Sequence, residues 1–121
     1  MMAAGLLNLV IEQGVTFGMT ITVKDSTGTV INITGYTFRG SIKESAQDTA
    51  AVKAFTCTIT DAVNGVFTVG LTDTETAALP ATGDTYDEYS EYVYDIEMED
   101  SGGVVTRLLN GAVSVSPEVT A

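Results

Sequence analysis

The stretch YVYDIEMEDSGGVVTRLLNGAVSVSPEVT, residues 92–120, decides the fold. Its first part alternates in polarity, and the apolar positions are Tyr92, Tyr94, Ile96 and Met98. The positions between them are mostly acidic and include Asp95, Glu97 and Glu99. Side chains of a strand alternate between two faces, so this pattern predicts a strand with one face toward a core and the other toward water.

A second strand follows at once and predicts a hairpin. Residues 100–103, Asp-Ser-Gly-Gly, have the small and conformationally permissive side chains of a tight turn. The returning strand covers residues 104–116 and ends at Pro117, which has no amide proton for a ladder. Because apolar residues continue on both sides of Asn110 and Gly111, this pair predicts a bulge within the strand, not a turn.

Shorter alternating runs precede this hairpin and predict further strands. They cover residues 7–12, 17–24, 36–43, 55–60 and 66–72, with a short pairing arm at 29–32. Residues 73–79 predict one short helical turn, capped by Asp73 or Thr74 and ended by Pro80. Residues 44–51 and 81–91 are predicted loops. The sequence therefore predicts an all-β fold, an antiparallel β-sandwich of about seven or eight strands with a short helical turn.

The composition limits the number of domains and the kinds of partner that we expect. At 121 residues the chain is long enough for one domain with a real core, which we assign to residues 6–121 after an N-terminal arm of residues 1–5. Sixteen acidic residues against five basic ones give a formal net charge of −11. This charge argues against nucleic acid and against anionic membrane surfaces as partners. The chain has no basic segment before an apolar run and no span of ~20 apolar residues, so we expect neither a signal peptide nor membrane insertion.

Several kinds of catalytic and cofactor site are excluded by residue types. The chain has no histidine, which removes Ser-His-Asp and Cys-His catalysis and the usual zinc sites. No glycine-rich phosphate motif is present, and we expect no cofactor. The single cysteine, Cys57, alternates in register with Phe55 and Ile59, so we predict that all three face the core. A hydrolase that uses only two carboxylates stays formally possible, but no acid shows a reason for a raised pKa.

Half of all the acidic residues lie between positions 84 and 100. Three interpretations are open: a solvated face, a docking surface for another protein, or a cation site in the acidic loop of residues 84–91. The spacing matches no EF-hand loop. On the strand, the like charges of Asp95, Glu97 and Glu99 are typical of an edge that is protected against pairing with other chains.

The tyrosines form a second conspicuous group. Tyr92 and Tyr94 share the apolar face of the strand, whereas Tyr86 and Tyr89 lie in the preceding loop. Exposed tyrosines often mark interfaces, because a rigid amphipathic ring contacts a large area at low entropic cost. The candidate partner-contact residues are therefore Tyr86, Asp87, Glu88, Tyr89 and Glu91.

An ordered set of motifs resembles a family of small tailed-phage virion proteins. The matching stretches are residues 34–40 (TGYTFRG), 61–72 with the following 74–79 (TETAAL), 94–97 (YDIE) and 105–120 (VTRLLNGAVSVSPEVT). The resemblance is to structural proteins with a β-sandwich similar to the N-terminal domain of phage baseplate upper proteins. It covers about residues 6–120.

This resemblance implies a non-enzymatic adaptor in the baseplate or tail-fibre attachment region, repeated in a symmetric assembly with other virion proteins. It implies synthesis in the bacterial host cytoplasm and residence in the virion. A capsid head-decoration (cement) protein is the alternative, and a carbohydrate-binding module is a weaker one because the chain has no tryptophan. We also expect that removal of residues 1–5 leaves the fold intact but weakens assembly, since such an arm is ordered by packing against a neighbour.

Overall fold

The hairpin of residues 92–120 lies at the centre of a β-sandwich in the computed structural model, which describes residues 5–47 and 50–120. Within these ranges the elements are β1 (Gly5–Leu6), β2 (Leu9–Glu12), β3 (Phe17–Thr22), β4 (Thr37–Lys43), β5 (Lys53–Ala54), β6 (Thr56–Asp61), β7 (Val66–Leu71), α1 (Asp73–Ala77), β8 (Ser90–Glu99) and β9 (Val105–Ser116). The predicted all-β sandwich with one short helical turn is confirmed. Of the predicted N-terminal arm, residues 1–4 lie outside the described residues and Gly5 belongs to β1.

The strands form two sheets. In the larger sheet β9 pairs with β1 and β2 on one side and with β8 on the other, followed by β4 and β5. The smaller sheet has the order β3-β7-β6. The chain passes from one sheet to the other at Phe55, between β5 and β6. The predicted strand of residues 55–60 corresponds to β6, and the short β5 before it was not predicted.

One pairing differs from the predicted antiparallel arrangement. β1 and β2 run parallel to β9, with Gly5 opposite Leu109 and Leu9 opposite Val113. A parallel pair requires a long connection between its strands, and here nearly the whole chain supplies it. Alternation of polarity predicts which face of a strand is buried but not the direction of its neighbour, so this pairing was not predictable from the pattern.

The core lies between the sheets and is lined by the predicted apolar stripes. Tyr92, Tyr94, Ile96 and Met98 are all buried. The prediction for the run 55–59 is only partly confirmed, because Phe55 is buried, Cys57 is half-buried and Ile59 is 37% exposed. Ile59 adjoins a register shift on β6, an edge strand, and there the stripe leaves the core.

The bulge in β9 is at Leu108, so the prediction of a bulge at Asn110 and Gly111 is wrong. Ile96 pairs with Leu109 and Glu97 pairs with Arg107, which leaves Leu108 as the extra residue. This insertion directs Arg107 to the outer face while Leu108 is buried in the core. Gly111 is instead a site of close backbone approach, since a Cβ there would overlap the Leu7 carbonyl oxygen.

The helix begins at Asp73, as predicted, but its N-cap lies one residue before the predicted caps. Thr72 is the N-cap: its hydroxyl accepts a hydrogen bond from the Glu75 amide at 3.2 Å, and Glu75 accepts one from the Thr72 amide at 2.9 Å. This reciprocal pair is a capping box. Asp73 and Thr74 are the first two residues of the helix and do not cap it.

The acidic stripe does not protect an edge, because β8 is a central strand paired with both β4 and β9. Its charges are compensated across the ladder instead. Arg39 donates to Glu97 at 2.9 Å and to Glu99 at 3.0 Å, and Arg107 lies 3.5 Å from Asp95. Opposite charges on neighbouring strands stabilise the sheet modestly at an exposed face.

Candidate functional site

The predicted contact residues lie on a protruding loop and on the start of the strand that follows it. Residues 81–89 connect the helical region to β8, which begins at Ser90, two residues earlier than the sequence predicts. Tyr86 is 68% exposed and Tyr89 is 49% exposed. Asp87 and Glu88 are also exposed. We call residues 84–89 the tyrosine loop.

The tyrosine loop is fixed to the large sheet at the Tyr86 backbone, and the segments on either side of the loop are also held. The Ser116 hydroxyl, at the end of β9, donates to the backbone carbonyl of Tyr86. The Tyr92 hydroxyl donates to the carbonyl of Pro80 at 2.6 Å, and the Thr82 amide donates to the Ser90 hydroxyl at 3.1 Å. These bonds hold the backbone of the loop and of the segments on both sides of it. The exposed rings therefore project from a fixed backbone, and less conformational entropy is lost when a partner binds.

The carboxylates of this region are held by hydroxyl groups. Thr85 donates to Asp87 and lies 3.0 Å from a carboxylate oxygen of Glu88, which folds the tip of the loop on itself. Gly83 permits this turn, because a Cβ there would overlap the Glu88 carbonyl. Glu91 is separate: it lies on β8 and accepts a hydrogen bond from the Ser114 hydroxyl at 2.8 Å. The structure thus groups Tyr86, Asp87 and Glu88 at the tip and places Glu91 on the sheet.

The described residues offer no assembled metal or acid–base site. Within residues 5–47 and 50–120 no group of three or more His, Cys, Asp or Glu side chains is arranged to hold a metal ion. Among the residues that the structure describes, two carboxyl groups have shifted pKa values, and both are lowered. Hydrogen bonds from the Thr27 side chain lower the pKa of Asp25, and the Thr72 amide lowers the pKa of Glu75. A lowered pKa favours the ionised carboxylate and is the opposite of what a general acid needs.

Three further groups have a pKa that is raised mainly by burial. Burial raises the pKa of the Cys57 thiol, which keeps it protonated and weakly nucleophilic. It also raises the pKa of Tyr92 and Tyr94, whose hydroxyls are engaged with backbone carbonyls. Among the described residues every buried side-chain nitrogen or oxygen has a hydrogen-bond partner, so no unsatisfied polar atom marks a ligand site.

A shallow groove on the outer face of the large sheet was not predicted. It has a volume of about 400 Å³ and its lining includes Leu6, Lys43, Val93, Asp95, Arg107 and Ala112. The groove crosses β1, β9, β8 and β4, and these strands are far apart in the chain. The position of Leu6 beside β8 and β9 depends on the parallel pairing, which the sequence pattern did not indicate.

A second shallow surface lies on the outer face of the small sheet. Its lining is mostly threonine and glycine, with Thr56, Thr58 and Thr68 beside Gly18 and Gly70. The side chains come from β3, β6 and β7. Threonine or glycine at every second position, over residues 16–22, 56–60 and 68–72, was the sequence signal for this polar face. Among the described residues no helix is long and apolar enough to span a membrane.

Comparisons with known proteins find similarity only among solved structures. No protein-family profile and no curated protein matches the chain. A structure of murine CRIg is similar with a TM-score of 0.39 and 6% identity, over 92% of each chain. The ZIG-8–RIG-5 IG1–IG1 heterodimer gives a TM-score of 0.33 and 12% identity, over 96% of this chain and 83% of that one. At these TM-scores neither likeness carries information about what the chain binds.

Proposed function

We propose that the chain is a non-enzymatic structural protein of a phage virion, an adaptor in the baseplate or tail-fibre attachment region. It acts through protein–protein contacts, and the tyrosine loop is its main contact surface. The observation that carries this role is the pair of exposed rings, Tyr86 and Tyr89. They lie on a loop whose backbone is held by hydrogen bonds from Ser116 and, just before the loop, from Tyr92.

Two further features support this role. The motifs that resemble baseplate proteins lie on structural elements: residues 34–40 lead into β4, and residues 105–120 include all of β9. The chain also has no histidine, and the carboxyl groups with shifted pKa values are held in the ionised form. Such a chain is suited to being held in a particle by complementary surfaces.

The chemistry of the loop indicates what kind of surface it fits. Asp87 and Glu88 are exposed beside Tyr86, so the loop combines aromatic area with negative charge. A neighbouring virion protein that presents lysine or arginine around an apolar pocket is complementary to it. A capsid decoration role uses the same kind of contact, and copy number distinguishes the two: hundreds of copies in each particle indicate the capsid, and a few dozen or fewer indicate the tail.

Incorporation of variants into particles tests the proposal. In the phage that encodes the chain, the double variant Tyr86→Ser/Tyr89→Ser removes both exposed rings without touching the bonds at the base of the loop. We expect its copy number in purified particles to fall by about tenfold or more, because exposed aromatic anchors carry most of the energy of an interface.

The matched control is Val63→Ser/Val104→Ser. These valines are 66% and 61% exposed, and Val104 follows the β8–β9 turn, at the opposite end of that hairpin from the loop. The control should be incorporated like the unmodified chain. Normal incorporation of the tyrosine variant would overturn the role of the loop, and absence of the unmodified chain from particles would overturn the virion role itself.

A further inference from the structure

The outer edge of the large sheet, formed by β1 and β2, is open within the described residues. Both strands pair with β9 on one side, and no described strand pairs with them on the other. The amides of Leu7 and Gln13 donate to carbonyls of β9. Because successive residues of a strand point their backbone groups in opposite directions, Leu6 of β1 and Val10 of β2 point theirs away from β9, and both strands keep the same register on β9.

The side chains of this edge are uncharged from Gly5 to Ile11, and the exposed Glu12 ends the uncharged segment. Leu6 is 77% exposed and Val10 is 58% exposed, and both lie on the outer face of the sheet. No charged residue and no proline occurs from Gly5 to Ile11, in a chain with 21 charged side chains (16 acidic and 5 basic). Natural proteins block open edges with lysine, proline, bulges or very short strands, and this segment has no charge or proline to block pairing.

The other three edges of the sandwich do not offer the same surface. β5 is only two residues long and begins with Lys53. β6 is interrupted by the register shift between Ile59 and Asp61. β3 presents the small residues Gly18, Thr20 and Thr22 outward, which supply little apolar area. Among the described edge strands β1 and β2 carry the most exposed apolar side chains, since Leu6 and Val10 are 77% and 58% exposed and Ile59 of β6 is 37% exposed.

We propose that two copies of this chain pair antiparallel along their β1–β2 edges and join their large sheets into one. A two-fold contact uses the same patch twice, and two identical strands related by such an axis are antiparallel. With Asn8 on the axis, Leu6 of one copy lies opposite Val10 of the other, so each exposed apolar side chain gains an apolar neighbour. The uncharged strip lets two strongly acidic chains meet without placing like charges opposite each other.

The contact is independent of the virion role, and different residues carry it. Sedimentation over a concentration series of the full chain tests it, with Val10→Lys and Val10→Pro as variants. The lysine places a like charge on both copies, and the proline removes an amide that points away from β9, so the ladder to β9 is kept. We expect the unmodified chain to form a dimer and both variants to raise the dissociation constant by about tenfold or more.

Val63→Lys is the control for charge, because Val63 is 66% exposed and lies in the turn between β6 and β7. It should leave the dissociation constant unchanged. Amide hydrogen exchange adds a readout at the edge: protection of the Val10 amide should rise with protein concentration, while that of Ile11 should not.

Three results would overturn the proposal. The first is a chain that stays monomeric at every concentration, at whatever rate the Val10 amide exchanges its hydrogen. The second is a dimer that persists in both Val10 variants. The third is an equal weakening by Val63→Lys.

Discussion

The hydroxyl of Tyr94 donates a hydrogen bond of 2.7 Å to the backbone carbonyl of Leu7. In a regular parallel ladder that carbonyl would accept from the Ala112 amide. Here the side-chain oxygen of Asn8 accepts from Ala112 instead, at 3.1 Å. A side chain of the central hairpin thus holds the segment between β1 and β2, and the Asn8 side chain replaces the Leu7 carbonyl as the acceptor for the Ala112 amide.

The variant Tyr94→Phe removes this hydroxyl and leaves the ring in place. We expect the free energy of unfolding to fall by about 1–3 kcal/mol, because a backbone carbonyl loses its partner inside the structure. Denaturant unfolding measures the change. The control is Tyr36→Phe, since the Tyr36 hydroxyl has no hydrogen-bond partner among the described residues. Equal stabilities of the Tyr94 and Tyr36 variants would contradict this account of the first strand.

The variant Gly111→Ala tests the close approach of the two backbones. A Cβ at Gly111 would overlap the Leu7 carbonyl oxygen, so the first strand must move away from β9. We expect a loss of about 1–3 kcal/mol in the free energy of unfolding, in the range of overpacked interiors. Gly18→Ala is the control within a strand, because nothing lies within 4 Å of its added Cβ. A Gly111 variant as stable as the Gly18 variant would show that the approach is not tight.

The variant Glu75→Gln gives a pH-dependent prediction. The folded pKa of Glu75 lies below the ordinary value of 4.5, so its charge stabilises the folded state above that pH and the stabilisation is lost as the pH falls through the folded pKa. Glutamine can still accept the Thr72 amide in the capping box but carries no charge. The unmodified chain should melt at a higher temperature than the variant at pH 7, and the difference should vanish well below pH 4.5.

The control for this series is Asp84→Asn, because Asp84 is exposed and has no hydrogen bond or ion pair within the described residues. Its melting temperature should follow that of the unmodified chain at every pH. A Glu75→Gln difference that persists unchanged into strong acid would refute a role for the charge.

Much of the fold could be predicted because burial in a strand follows a period of two. Tyr92, Tyr94, Ile96 and Met98 are buried as their alternation predicts, and the turn before Val104 forms where glycine and aspartate indicate it. The bulge could have been found by the same reasoning. If Val113 and Val115 face the core, regular alternation would bury Arg107, so an extra residue is needed between Arg107 and Leu109.

Other features could not be predicted, because they depend on contacts between distant parts of the chain. The parallel pairing of β2 with β9 joins residues about one hundred positions apart, and nothing local in either strand indicates it. The central position of β8 depends on its pairing with β4, which lies far earlier in the chain, so the acidic face of β8 was assigned to an edge. Exposure of Tyr86 and Tyr89 was predicted correctly from their loop, whereas the anchor from Ser116 could not be seen in the sequence.

The most direct measurement is a map of the purified phage particle in which this chain can be traced. The proposed function predicts the β-sandwich in the baseplate or tail-fibre region, in a few dozen copies or fewer, with Tyr86 and Tyr89 in contact with a neighbouring virion protein. Density for hundreds of copies on the capsid would assign the chain to head decoration. A particle that contains no copy of the chain would contradict the virion role.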